Sequence, residues 1–215
     1  EYSSTQCNLP RDLSQQITQW AVRNIDPADF LSTDGVERES HITVLYGIED
    51  ESPRQVMHVL RNVGPIAVQL GELSHFEHPD EDILYIAVNS QTLHMLRGQL
   101  MEAVPNSQTY DCYQPHVTVA KLKPGAGRKY TGRCADVSGK IVAFDRVEFS
   151  DPLHNQIPIW LQGPIMFSRA PAGGMDINGT WYMEHTMIPT DVMQDMSEAQ
   201  YRQLSSARMT AMDEA

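Results

Sequence analysis

The residues best suited to chemistry are two histidines in a repeated His-x-Thr pattern, at His41 and Thr43 and again at His116 and Thr118. Imidazole titrates near neutral pH, so one ring can take a proton from an attacking oxygen while a second, protonated ring gives one to a leaving oxygen. A threonine hydroxyl can donate a hydrogen bond to a phosphoryl oxygen, where negative charge grows in the transition state. The pattern therefore indicates cleavage of a phosphodiester, with the histidines as acid and base and the threonines holding the phosphoryl oxygens.

Both copies of the pattern have the alternation of a β-strand. Apolar or β-branched residues occupy every second position, which places the histidine and the threonine of each copy on one face. The same period puts Tyr46 with Ile42 and Val44 on the face opposite His41. We therefore expect Tyr46 to pack in the core rather than to meet a substrate.

The remaining elements predict an α+β fold in which two similar half-domains face one cleft. Strands are expected near residues 2–9, 66–76, 83–88, 141–149 and 157–161, and helices near 13–25, 53–64 and 90–104. The first half reads β-α-β-α-β-β, and the second half repeats a helix, the motif strand and paired strands. Residues 1–163 form the predicted catalytic domain.

From residue 164 the composition changes to a linker rich in proline and glycine, followed by a segment rich in methionine. The sequence from Ser197 to Gln200 is a capping box, which predicts a helix at the C-terminal end. Residues 164–215 contain too few aliphatic residues for a core of their own. We expect this tail to pack on the domain, on a second copy of the chain or on a partner.

The composition limits the class of partner and the compartment. The 215 residues include 16 Lys and Arg against 28 Asp and Glu, for a formal net charge of −12. Such a chain does not suit a long nucleic acid, whose binding depends on cations that neutralise phosphates. Three cysteines without a CxxC spacing indicate neither disulfides nor a zinc site, so a reducing, cytoplasmic setting is expected. No apolar run has the length of a membrane span.

Several further residues are candidates with a plain structural alternative. Tyr113, in the irregular approach to His116, is a candidate for stacking on a base, and Glu148 for accepting a hydrogen bond from a base edge. His75, His78 and Asp80 have no spacing that sets three ligands around one ion, so we expect no metal there. The basic run 121–129 is either a flap that binds phosphate or a solvated loop.

The duplicated His-x-Thr pattern resembles that of the two-histidine (2H) phosphoesterase superfamily, which includes 2'-5' RNA ligase-like proteins and cyclic phosphodiesterases. The resemblance covers about residues 1–163. It implies a bilobal α+β fold, no metal or other cofactor, and hydrolysis of 2',3'-cyclic phosphates or of small cyclic or 2'-5' linked nucleotides. It also places the strand that carries Tyr2 near the cleft, which makes Tyr2 a candidate substrate contact. The first strand and the tail resemble phage members, some of which degrade cyclic oligonucleotide defence signals. The alternative function is that of a nucleotide-binding module, or of a phage structural or interaction module, without turnover.

Overall fold

The computed structural model describes residues 2–32, 35–107 and 112–163, and the backbone of three short strands beyond them. Its helices are α1 (Arg11–Asn24), α2 (Arg54–Leu60) and α3 (Gln91–Ala103). Its strands are β1 (Ser3–Asn8), β2 (His41–Ile48), β3 (Ile66–Glu77), β4 (Asp82–Asn89), β5 (His116–Leu122), β6 (Ile141–Phe144), β7 (Arg146–Ser150), β8 (Gln156–Trp160), β9 (Phe167–Ser168), β10 (Thr180–Met183) and β11 (Thr186–Pro189). The predicted α+β class is confirmed.

The strands form two antiparallel sheets of four strands, with the orders β2-β1-β7-β8 and β5-β4-β3-β6, and a smaller sheet β11-β10-β9. The two motif strands are the edge strands β2 and β5. The expectation that each half of the sequence builds one half-domain is wrong. The sheet of the first motif is completed by β7 and β8, and β3 and β4 belong to the sheet of the second motif. Local patterning locates strands, but it does not reveal which remote strand each one pairs with.

The helices cover the buried faces of the two sheets. The hydroxyl of Ser90 caps α3 by accepting a hydrogen bond from the amide of Leu93 (3.3 Å), as the sequence predicts. The buried side chains of α3 recur at helical spacing and pack beside β2, while α1 lies against β5. The opposite faces of the motif strands, which carry the histidines and threonines, are left for the site. Among the described residues, no helix is long and apolar enough to span a membrane.

Each motif strand contains a β-bulge directly after its threonine. In the β1–β2 ladder Gln6 pairs with Thr43 and Thr5 pairs with Leu45, so Val44 is the extra residue. In the β4–β5 ladder Tyr85 pairs with Thr118 and Leu84 pairs with Ala120, which makes Val119 the extra residue. A bulge shifts the alternation by one position, so the residues that follow it change face.

The bulge overturns the prediction that Tyr46 lies in the core. Val44 and Leu45 are both fully buried, whereas Tyr46 is 47% exposed. Tyr46 therefore returns to the face of His41 and Thr43. Lys121 occupies the corresponding position of β5 and is also exposed.

Two reciprocal backbone contacts hold the motif strands next to each other. The chain leading into β2 pairs with β5, where the amide of Glu37 donates to the carbonyl of Val119 (2.9 Å). The chain leading towards β5 pairs with the end of β2, where the amide of Ser107 donates to the carbonyl of Gly47 (2.8 Å). We call this pair of contacts the clasp. It brings the two edge strands of different sheets together, as their proximity confirms.

The predicted C-terminal helix at Ser197 lies outside the described residues, and the division of the chain at residue 163 stays a prediction. Within the tail, the backbone of β11 lies close to α3 and β3.

The clasp yields a prediction at Gly47. This residue has a φ of +89°, and a Cβ at this position would lie 2.4 Å from the carbonyl oxygen of Ser107. We expect Gly47→Ala to lower the free energy of unfolding by about 2 kcal/mol or more, because both strain and a backbone clash result. The matched control is Gly98→Ala in α3, where a Cβ meets nothing within 4 Å. That change should raise the free energy of unfolding by about 0.5 to 1 kcal/mol. Urea unfolding measures both, and equal effects of the two changes would contradict the account.

Candidate active site

Each of the two motif histidines is oriented by the same kind of hydrogen bond, from its ring to a backbone carbonyl. Nδ1 of His41 lies 2.8 Å from the carbonyl oxygen of Glu39, and Nδ1 of His116 lies 2.7 Å from that of Gln114. Because a carbonyl only accepts, Nδ1 carries the hydrogen in each ring and donates it. Nε2 is therefore the atom of each imidazole that is left to accept or donate a proton.

His116 lies in an aromatic environment. Its ring is 5.0 Å from the ring of Phe76 and 5.2 Å from that of Tyr85, and these two rings stack on each other at 4.2 Å. Burial lowers the pKa of His116 below its ordinary value, the nearby His41 lowers it further, and the bond to the Gln114 carbonyl acts in the opposite direction. His116 is therefore held in its neutral form at neutral pH. The strands that carry the two rings, β2 and β5, lie close to each other.

The threonines share the faces of their histidines. Thr43 is directly opposite Gln6, and Gln6 is directly opposite Glu148, so these three side chains form one row across the first sheet. In the second sheet Thr118 is opposite Tyr85. Both threonine side chains are half-buried. Each lies two residues after its histidine, so a hydroxyl donor lies beside each imidazole.

Tyr46 and Lys121 lie on the faces of the motif histidines, although the sequence placed Tyr46 in the core and Lys121 only within a basic run. The ring of Tyr46 contacts that of Tyr2 edge to face, with centroids 6.1 Å apart. Lys121 Nζ lies 3.6 Å from Oε2 of Glu81 and keeps 56% of its side chain exposed. A signal was present, because both motif copies have two apolar residues in succession after the threonine. Such a doublet interrupts the strict alternation and indicates a bulge.

Residues 9–133, more than half of the chain, match the model of the 2'-5' RNA ligase superfamily. The chain belongs to this superfamily. The predicted relation to two-histidine phosphoesterases is thereby confirmed, and phosphoesterase activity is the chemistry that membership supports. None of the curated proteins compared with the chain matches it.

Solved structures share the superfamily fold at low sequence identity. E. coli LigT complexed with 3'-AMP is 13% identical, with a TM-score of 0.55 over 74% of this chain and 94% of that chain. TT0787 of Thermus thermophilus is 13% identical, with a TM-score of 0.53 over 88% of this chain and 98% of that chain. Usb1 of Kluyveromyces marxianus is 11% identical, with a TM-score of 0.51 over 74% of this chain and 98% of that chain. At these identities the similarity establishes the fold alone.

Tyr113 supports the first motif strand of this superfamily domain. Its hydroxyl donates to the carbonyl of Thr43 (2.8 Å), and the guanidinium of Arg97 lies over its ring, 4.7 Å from the centroid. His94 contacts the ring edge to face at 5.1 Å. Burial raises the pKa of the Tyr113 hydroxyl, which keeps it a donor. These contacts give Tyr113 a positioning role, and its stacking on a base stays a prediction.

Glu148 and Tyr2 lie on the face of the first sheet that carries His41. Glu148 is 6% exposed, and its Oε1 accepts a hydrogen bond from Nε of Arg146 (2.8 Å). It is thus a buried carboxylate in line with Thr43 rather than a solvated strand residue. Tyr2 is 41% exposed and contacts Tyr46. Both remain candidates for contacts to a nucleobase.

The basic loop after β5 uses its cations within the protein. Lys123 Nζ donates to the carbonyl of Ala28 (2.7 Å), and Lys129 Nζ donates to both carboxylate oxygens of Asp29 (2.8 and 3.0 Å). Arg128 Nε donates to Glu77 (2.8 Å), and this guanidinium is the main cause that lowers the pKa of Glu77 to about 2. These pairs favour a solvated surface loop over a flap that binds phosphate.

Both ring nitrogens of His75 have partners within the protein. Its Nδ1 lies 2.7 Å from Oγ1 of Thr131, and its Nε2 lies 3.2 Å from Oε1 of Glu77. Throughout the described ranges, no three His, Cys, Asp or Glu side chains group as ligands for one ion.

The burial of His116 leads to a prediction about the pKa of its imidazole. We expect the pKa of His116, followed by NMR of its imidazole, to lie below the ordinary value of 6.5. His41→Ala should raise this pKa by removing a nearby positive charge, yet leave it below 6.5 because burial is the larger cause. The exposed His58 of α2 provides the control, and His58→Ala should leave the titration of His116 unchanged. A pKa of His116 at or above the ordinary value would contradict this description of the site.

Proposed function

We propose that the chain is a metal-independent phosphodiesterase that hydrolyses small cyclic, 2'-5' or 3'-5' linked nucleotides by two-histidine acid and base catalysis. The observation that carries the proposal is the common orientation of His41 and His116. Each ring donates its Nδ1 hydrogen to a backbone carbonyl and keeps Nε2 for proton transfer, on edge strands that the clasp holds together. Two such rings at one phosphorus supply both the base and the acid of a displacement.

The unequal environments of the two rings support a division of roles. We assign His116 as the base, because burial favours its neutral form, and His41 as the acid. Nε2 of His116 takes the proton of the attacking hydroxyl or water as its oxygen bonds to phosphorus. The bond to the leaving oxygen breaks, and His41 gives its proton to that oxygen. In an RNA-like diester the substrate's own 2'-hydroxyl attacks first, and water then opens the cyclic phosphate with the two roles exchanged.

The neighbouring side chains suit a charged phosphoryl group with an attached base. Thr43 and Thr118 hold the non-bridging oxygens, on which negative charge develops. Tyr2 and Tyr46 offer exposed rings for a base on the side of the first sheet. The occurrence of 3'-AMP in the LigT structure supports a nucleotide as the class of ligand.

The net charge of −12 supports a small nucleotide rather than a long nucleic acid as substrate. We place the activity in the cytoplasm, because the three cysteines are free thiols, which a reducing compartment preserves.

The proposal predicts the loss of activity in variants of both histidines. His41→Ala and His116→Ala should each lower kcat for hydrolysis of a 2',3'-cyclic mononucleotide by about 10²- to 10⁴-fold, because each removes one proton transfer. The double variant should be little worse than the worse single variant, since the residues act in one step. His58→Ala is the matched control and should retain activity.

The assay uses a panel of 2',3'-cyclic mononucleotides, 3',5'-cyclic mononucleotides and cyclic di- and trinucleotides, all with EDTA present. Turnover that depends on both histidines supports the proposal. Tight binding without turnover of any member would instead support a binding module, and turnover that EDTA abolishes would contradict the metal-independent mechanism.

A further inference from the structure

An exposed tryptophan lies on the site face of the first sheet, at the strand farthest from the catalytic histidines. Trp160 in β8 is 48% exposed and lies directly opposite Arg146 of β7. Arg146 and Glu148 are two residues apart on β7 and bond to each other, so they point to the same face. Glu148 in turn is in the row of Thr43. Trp160 and Arg146 thus share the face that carries the His41 site.

The guanidinium of Arg146 is fixed above the indole. Its Cζ lies 5.2 Å from the centroid of the Trp160 ring, and its Nε donates to the carboxylate of Glu148, of which 8% is exposed. A buried carboxylate that bonds Nε holds the guanidinium plane in one orientation and neutralises its charge. Such a pair has little use as a phosphate site. It offers a flat, rigid and partly aromatic surface, which is the surface on which nucleobases stack.

The position of this surface separates it from the scissile phosphate. Three strand spacings of about 4.8 Å lie between β2 and β8, a distance of about 14 Å across the sheet. Tyr46 is on the motif strand and Tyr2 at the start of its neighbour, and in the proposed function these two rings hold the base on that side of the sheet. Trp160 and Arg146 lie beyond the reach of that base.

We propose that Trp160, Arg146 and Glu148 form a second nucleobase-binding subsite, and that an oligonucleotide with at least two nucleosides is therefore a better substrate than a cyclic mononucleotide. Stacking on the pair of Trp160 and Arg146 gives affinity, and the carboxylate of Glu148 accepts a hydrogen bond from an amino or imino group of the base. The proposal rests on the proposed function for its catalytic consequence, while the binding of a dinucleotide is independent of turnover.

The first test compares kcat/KM for the linear dinucleotide ApA with kcat/KM for 2',3'-cyclic AMP. In Trp160→Ala the ratio of these two values should fall about tenfold or more, because a stacking contact is lost by the longer substrate alone. Trp160→Phe should restore most of the ratio. Ile157→Ala is the matched control, since Ile157 is exposed on the other face of the same strand, opposite the buried Phe149. An unchanged ratio in Trp160→Ala would contradict the proposed second subsite.

The second test measures binding of d(ApA), which lacks the 2'-hydroxyl needed for internal attack, by calorimetry with the full chain. Binding should weaken about tenfold in Trp160→Ala and be unchanged in Ile157→Ala. If d(ApA) does not bind, or if Trp160→Ala binds it as tightly as the parent chain does, the proposed second subsite is contradicted. If no substrate is turned over but Trp160 still determines the affinity for d(ApA), the proposed function is wrong and the second subsite is supported. Circular dichroism of each variant verifies its fold.

Discussion

The clasp between the two motif strands is the contact on which the rest of the site depends. β2 and β5 are edge strands of different sheets, so the ladders of their own sheets do not hold them together. Two backbone hydrogen bonds do so. Glu37, in the segment that leads into β2, bonds to β5, and Ser107, in the segment that leads towards β5, bonds to β2. Because this pairing is made by backbone groups, it positions the two histidines without using their side chains.

The duplicated framework is symmetric in its backbone and asymmetric in its chemistry. Both motif strands have a bulge after the threonine, and both histidines donate Nδ1 to the carbonyl two residues earlier. The residue that returns to the site face is Tyr46 in one copy and Lys121 in the other. His116 packs against two aromatic rings, and burial lowers its pKa. One backbone plan thus supplies two imidazoles in different surroundings, and a displacement at phosphorus needs both a base and an acid.

Much of this architecture was predictable from the sequence, because helix caps and apolar periodicity are local. The cap at Ser90 and the positions of β3, β4 and β8 follow from such signals. The exchange of β7 and β8 into the sheet of the first motif did not, since pairing partners remote in the chain leave no local pattern. The orientation of Tyr46 depended on one extra residue at Val44. A register shift of one residue reverses every face that follows it, so strict alternation gave the wrong side.

The residues of the candidate site also include some that the sequence revealed and some that only the tertiary structure revealed. The four motif residues were visible because their pattern recurs, whereas Tyr46 and Trp160 became candidates only when the sheet geometry placed them on the site face. Tyr113 was visible as an aromatic residue near His116, but its contacts with Arg97 and the Thr43 carbonyl are products of the tertiary fold.

The pH dependence of kcat/KM tests the central claim, that the two histidines act as base and acid in one site. The account predicts a bell-shaped profile. Its acid limb lies below pH 6.5, because the rate falls as His116 becomes protonated and the pKa of this buried ring is lowered. Its alkaline limb reports the loss of the proton that His41 donates. A profile that is flat between about pH 5 and 8, or one that His116→Ala leaves with the same acid limb, would contradict it.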